Sequence, residues 1–174
     1  MSFLLLKEIE AVLKNGFEEV RFRKPGQSEG YGAPQFWIGS LPPKPQDAEP
    51  GEAFPFIVNR FTTGQDEADA STLSIQTLCG IYTAGEIEAG SGDIVNMIFR
   101  CRRLLLQSPR LGGRFLMAYP LEWRLGESEE QYDQPHPYFH GSITTTWHLP
   151  RVAAVPTPEE EIAHYGTGYN QQEP

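Results

Sequence analysis

Asp133, His136, His140 and His148 fall within one short stretch, YDQPHPYFHGSITTTWH, and are the residues of this chain whose types could hold a metal or move a proton. On a continuous helix, His136 and His140 would share a face and pinch an ion between them. Pro135 and Pro137 break any such helix. In an extended chain the two imidazoles stand about 13 Å apart, so the simple two-histidine ligand pair is lost. A metal or hydrolytic site here therefore needs long-range assembly of His136, His140, His148 and Asp133. The sequence carries no G-x-S-x-G, no H-E-x-x-H and no phosphate-cradling glycine loop. The expectation is a chain that is not an enzyme, with no catalytic, cofactor-binding or metal-ligating residues and no cofactor. A small metal-dependent hydrolase built on the three histidines stays as the alternative.

Charge and cysteine content narrow the partners. A net charge of -9 opposes wrapping nucleic acid, which needs clustered Lys and Arg. DNA is then expected only as passing cargo. Cys79 and Cys101 sit in apolar contexts and read as small buried hydrophobes rather than a disulfide or a nucleophile. The opening MSFLLLKEIEAVL has too short an apolar run and too early a charge for a signal peptide, and no stretch reaches the length of a membrane span. A soluble protein made in a reducing cytoplasm, with no membrane partner, is expected.

The elements that position these residues follow from periodicity. In SFLLLKEIEAVLKNG, Leu5, Ile9, Val12 and Leu13 repeat at helical spacing, with Ser2 placed to cap and Gly16 to end the helix. A short strand near Val20 to Arg23 precedes a long proline-rich loop over 26–52. FPFIVNRF reads as a strand with Phe54, Phe56 and Val58 on one face and Ile57 and Phe61 on the other. An acidic hairpin loop with Asp66, Glu67 and Asp69 leads into a second strand over 72–83, where Leu73, Ile75, Cys79 and Ile81 share a face. The period then turns helical, with Ile94, Met97, Ile98, Cys101 and Leu105 on a core face and Ser91 or Asp93 as cap. A third strand alternates from Phe115 to Leu125, and Pro120 marks an edge or a bulge. In the last strand Phe139, Ile143, Thr145, Trp147 and Leu149 alternate with His140, Ser142, Thr144, Thr146 and His148. The opening residues thus sit in a loop and on the polar face of a strand.

The fold expected is a single α+β domain over 1–155. Its mainly antiparallel four-stranded sheet carries two helices packed on one face, in the order α-β-β-α-β-β. A short helix at 158–165 and a flexible tail occupy 156–174. Three sets of residues are candidates for contact with a partner or another copy. Ser142, Thr144 and Thr146 line the sheet face opposite the helices. Arg100 and Arg103 form a stripe on the second helix. Phe36, Trp37 and Leu41 are apolar anchors on the stiff proline-rich arm.

The blocks YDQPHPYFHGSITTTWHLP and FLMAYPLEWRL, with this element order, resemble small virion-assembly proteins of tailed phages and prophages, nearest to the tail terminator or tail-completion (minor tail, head-tail joining) family. The resemblance covers roughly residues 1 to 150 in order of elements, and the loop over 26–52 departs from it. It implies a homo-oligomeric ring, hexameric in that family, that caps the tail tube and joins it to the head connector. The location it implies is the virion, and the host bacterial cytoplasm during assembly. A binding module or adaptor without ring symmetry remains the other reading, and it would use the Arg100 and Arg103 stripe or the arm.

Overall fold

A computed structural model of the chain describes residues 2–24, 30–44, 46–47, 51–67, 70–85, 87–126 and 136–150. Helix α1 (Ser2–Gly16) opens the chain, followed by the short strands β1 (Phe22–Arg23), β2 (Tyr31–Gly32) and β3 (Gln35–Ile38). The long strands β4 (Phe56–Asp66) and β5 (Ser71–Tyr82) form a hairpin. Helix α2 (Ile87–Gln107), the short β6 (Arg110–Leu111), and the long strands β7 (Phe115–Leu125) and β8 (Tyr138–His148) complete the domain. The expected tail helix at 158–165 and Asp133 lie outside the described residues.

The four-stranded sheet expected from the periodicity is corrected to six strands. They run in the order β3-β4-β5-β8-β7-β6 and curl into a half-barrel, while β1 and β2 pair separately. The sheet is mixed, because β3 joins β4 in parallel. Parallel neighbours need a long return connection, and residues 39–55 supply it. Much of the proline-rich loop is thus the crossover of a parallel pair, and Gln35–Ile38 within it is a strand. At the other border, β6 adds a second short strand that pairs with the start of β7.

Both helices lie on one face, as their apolar stripes require. Leu5, Leu6, Ile9 and Leu13 of α1, and Ile94, Met97, Ile98, Cys101 and Leu105 of α2, close over Ile57, Ile75, Cys79, Ile81, Phe139, Ile143 and Trp147. Along β8, Phe139, Ile143, Thr145 and Trp147 are buried toward the helices, while Ser142 on the other face is buried too. The Trp147 indole N–H donates to Thr145 Oγ1 at 2.9 Å, so the largest core side chain leaves no polar atom unpaired. Helix α2 begins at Ile87, which puts Ser91 and Asp93 inside it rather than at its cap. Gly16 ends α1 for a reason other than a left-handed turn. A Cβ there would lie 2.3 Å from Leu104 of α2, so the glycine lets the two helices approach.

The core reading yields a direct test. Trp147 is fully buried, and Trp147→Ala is expected to lower unfolding stability by about 3–5 kcal/mol, the range for truncating a large core aromatic. A denaturant titration compares the two midpoints; an unchanged midpoint places the indole at the surface.

Candidate functional site

The face of the sheet opposite the helices divides into two halves. At one end, residues 51–55 fold back over β5 and β8, and Phe54, Phe56, Tyr82, Tyr138 and His140 form an aromatic nest. Phe54 lies 4.8 Å from Phe56 and 5.6 Å from Tyr138 between ring centroids, and Tyr82 lies 5.2 Å from Tyr138. Gly80 makes room for it, since a Cβ there would stand 2.3 Å from Phe56. Periodicity places Phe54 and Phe56 on a shared face but does not reveal the nest. The interior glycine of β5 is the one signal that could have, because a glycine within a strand often marks close approach of another group.

His140 belongs to this nest, with its ring 5.7 Å from Phe54 and 6.1 Å from Phe56. His136 hydrogen-bonds through Nε2 to the Gly85 carbonyl at 3.1 Å and meets the Phe139 ring edge-on. His148 is exposed near the far end of β8, in the row of Thr72 and Leu116. Eight residues of strand separate it from His140, about 26 Å. The three histidines therefore sit in three neighbourhoods. Among the described residues no three His, Cys, Asp or Glu side chains are grouped to hold a metal ion.

The other half of this face is polar. Ser142 is buried, while Thr144 and Thr146 are half-buried. Thr146 Oγ1 shares a hydrogen bond with Ser74 at 3.2 Å, and Arg60 donates to Gln76 Oε1 through Nε at 2.9 Å and Nη2 at 2.7 Å. Cross-strand pairs thus engage part of this surface. Thr144 lies between Gln76 and Glu122 in register.

The arginine stripe of α2 separates into two roles. Arg100 Nε donates to the Gly16 carbonyl at 2.7 Å, and its guanidinium lies 5.5 Å from the Phe17 ring centroid. It thereby caps the C-terminus of α1 with a cation, where both the orphan carbonyl and the helix dipole favour one. Arg103 is exposed and lines an open groove of about 720 Å³ with Arg21, Asp93, Phe99 and Arg102. Burial pushes the Asp93 carboxyl above its ordinary value, against the opposing pull of Arg23. Beside the groove, Phe99 pairs with Trp123 of β7 at 5.2 Å, and both rings are partly exposed.

The arm residues separate in the same way. Phe36 packs against the core, 6.3 Å from Phe17. Trp37 and Leu41 line a second cleft of about 520 Å³ with Pro42, Phe54 and Tyr138. Cys79 and Cys101 are both free and buried, with sulfurs 3.9 Å apart across the sheet–helix layer. Their mutual hydrogen bond, then burial, push the Cys79 thiol well above its ordinary value, which suppresses the reactive thiolate.

No protein-family model matches the chain, and no curated protein matches it.

Two expected outcomes follow from the arginines and Asp93. Arg100→Met should lower unfolding stability by about 1–3 kcal/mol through the lost cap, whereas Arg103→Ala should stay within about 0.5 kcal/mol. Paired denaturant titrations check the contrast. Asp93→Asn should raise the melting temperature at neutral pH, because a raised carboxyl pKa means that the folded state disfavours the ionised form. The gain is full above the folded-state pKa. It shrinks as pH falls through that value and vanishes below the unfolded one, which thermal melts at several pH values will show.

Proposed function

We propose that the chain is a structural virion-assembly subunit of a tailed phage or prophage. In this reading it is a tail terminator or tail-completion protein that forms a ring, caps the tail tube and joins it to the head connector. The observation that carries the reading is the pair of incompletely paired sheet borders. Strand β3 covers only Phe56–Asn59 of β4, and β6 covers only Phe115 and Leu116 of β7. Among the described residues, no further strand lies outside the rest of either long border strand. Unpaired main-chain groups on both sides of one sheet suit association with further copies, and head-to-tail contacts that close give a ring.

Charge agrees with the same reading. A chain of net charge -9 placed around a DNA passage repels the genome rather than trapping it. The wording of the β7 and β8 segments supplies the resemblance to tail-completion proteins. The hydrolase alternative requires His136, His140 and His148 to converge, and their placement in separate neighbourhoods weighs against it. The open groove beside Arg103 favours the adaptor reading as the second one, since a cationic, aromatic-edged depression fits an acidic partner segment. No helix among the described residues is long and apolar enough to cross a membrane.

Light scattering on untagged protein tests the reading. The expected mass is a fixed multiple of 19.5 kDa that does not change on dilution, with rings visible by electron microscopy. Deleting the gene from the phage genome that carries it should leave heads unjoined to tails. A strict monomer at the highest soluble concentration, or joined particles after deletion, sinks the proposal.

A further inference from the structure

The register of the sheet can be followed from border to border as rows of facing residues. Ile57, Cys79, Gly141 and Leu125 form one row, and Asn59, Thr77, Ile143 and Trp123 form another. Toward the opposite end, Gln65, Thr72, His148 and Leu116 share a row. The two short border strands extend different rows. Phe36 and Ile38 of β3 continue the Ile57 and Asn59 rows, whereas Arg110 of β6 continues the Leu116 row. Among the described residues, one border therefore protrudes at the lower rows and is recessed at the upper ones. The other border is recessed at the lower rows and protrudes at the upper ones.

From this we infer that a second copy of the chain docks edge to edge, with its β3 in the recess beside residues 122–125 of β7 and the β6 of the first copy in the recess beside residues 60–66 of its β4. This rests on the ring reading above and assigns its junction. Three independent features agree with it. The first is direction. Strand β3 runs with β4, and the antiparallel chain β4-β5-β8-β7 makes β7 run against it, so the new pair is antiparallel.

The second feature is hydrogen-bonding phase. The amides of Gln35 and Gly39 point into the sheet, to the Pro55 and Asn59 carbonyls, so Phe36 and Ile38 turn their main-chain groups outward. On β7 the Gly126 amide bonds His140 of β8, so Leu125 and Trp123 turn theirs outward. The outward residues of the two strands fall in the same rows, Phe36 with Leu125 and Ile38 with Trp123. Each such pair can exchange two hydrogen bonds. A slip of one residue would destroy that phase.

The third feature is side-chain chemistry. On the helix-bearing face the junction sets Phe36 beside Leu125 and Ile38 beside Trp123, which covers an indole left 44 % exposed. At the upper rows, Arg110 lies on the face opposite the helices and comes level with Gln65 of the next copy, diagonal to Glu67 on the same face, so opposite charges meet. The contact uses different surfaces on the two copies, which gives a ring when the rotation closes and a filament when it does not.

Cysteine cross-linking on the full chain tests the junction. Ile38→Cys and Trp123→Cys are made separately and together, and mild oxidation is followed by mass. Each single variant alone should stay uncross-linked, their mixture should give covalent dimers, and the double variant a ladder ending at the ring mass. In a second experiment that leaves the core untouched, Arg110→Glu and Glu67→Arg should each shift the oligomer toward monomer, and combining them should restore it. Self-cross-linking of Trp123→Cys would indicate a two-fold contact and overturn the junction. An intact ring without any 38–123 cross-link overturns the junction and leaves the ring reading standing. An open-ended ladder supports the junction and sinks ring closure, and a wild-type monomer at high concentration sinks both.

Discussion

The close approach of α2 to β5 and β8 is the constraint on which the other features depend. Three small residues make it possible. A Cβ on Gly90 of α2 would stand 2.3 Å from the Phe139 ring, one on Gly141 of β8 would stand 2.9 Å from Ile98, and Cys79 meets Cys101 at 3.9 Å. With the helix seated that low, Met97, Ile98, Cys101 and Leu105 reach the floor of the sheet, and Phe139, Ile143 and Trp147 fill the flanks. Interiors packed to this density do not tolerate an added methylene without a backbone shift. Strands β5 and β8 are thereby fixed as the centre of the sheet, and all other strands are added outward from them.

Two consequences follow for the rest of the molecule. With both helices on one face, the opposite face depends on its own side chains, and the protein covers its lower half with the Phe54–Tyr138 nest. The borders are reached last, by strands of four and two residues that, among the described residues, leave most of β4 and β7 without an outer strand. Helix α1 is tied in separately, through the Arg100 cap on Gly16 and the ring of Phe17 beneath the guanidinium. A residue that reads as part of a cationic surface stripe is in fact the joint between the helices.

The sequence made the centre of the fold legible and its borders not. The two helices and the long strands each extend over enough residues for a period of 3.6 or 2 to be unambiguous, and Ile75, Cys79, Ile81, Phe139, Ile143 and Trp147 are buried as the alternation predicts, whereas Leu73 is only half-buried. Strands β3 and β6 are too short for any period, and the parallel partner of β3 is set by a return loop that local pattern does not encode. Candidate contact residues divided for the same reason. Phe36 and Arg100 are exposed-looking by local pattern yet engaged by distant residues, Phe17 and Gly16, that only the folded chain brings near. Pro135 and Pro137 exclude a helical histidine pair, but the placement of His140 among aromatics depends on a loop folding back from residues 51–55.

Open borders are a hazard to a sheet protein, because they template uncontrolled pairing. Several features here narrow that hazard. The register of β7 shifts between Ala118 and Glu122, which interrupts the flat edge, and the hairpin end of β4 is acidic. The stepped outline also prevents either border from pairing along its whole length with a copy of itself, since in each a short strand occupies part of the edge. An excess of negative charge adds mutual repulsion at a distance that only a contact of matched shape and charge can overcome. Together these features disfavour indiscriminate stacking, and in the proposed offset, head-to-tail fit both recesses would be filled at once.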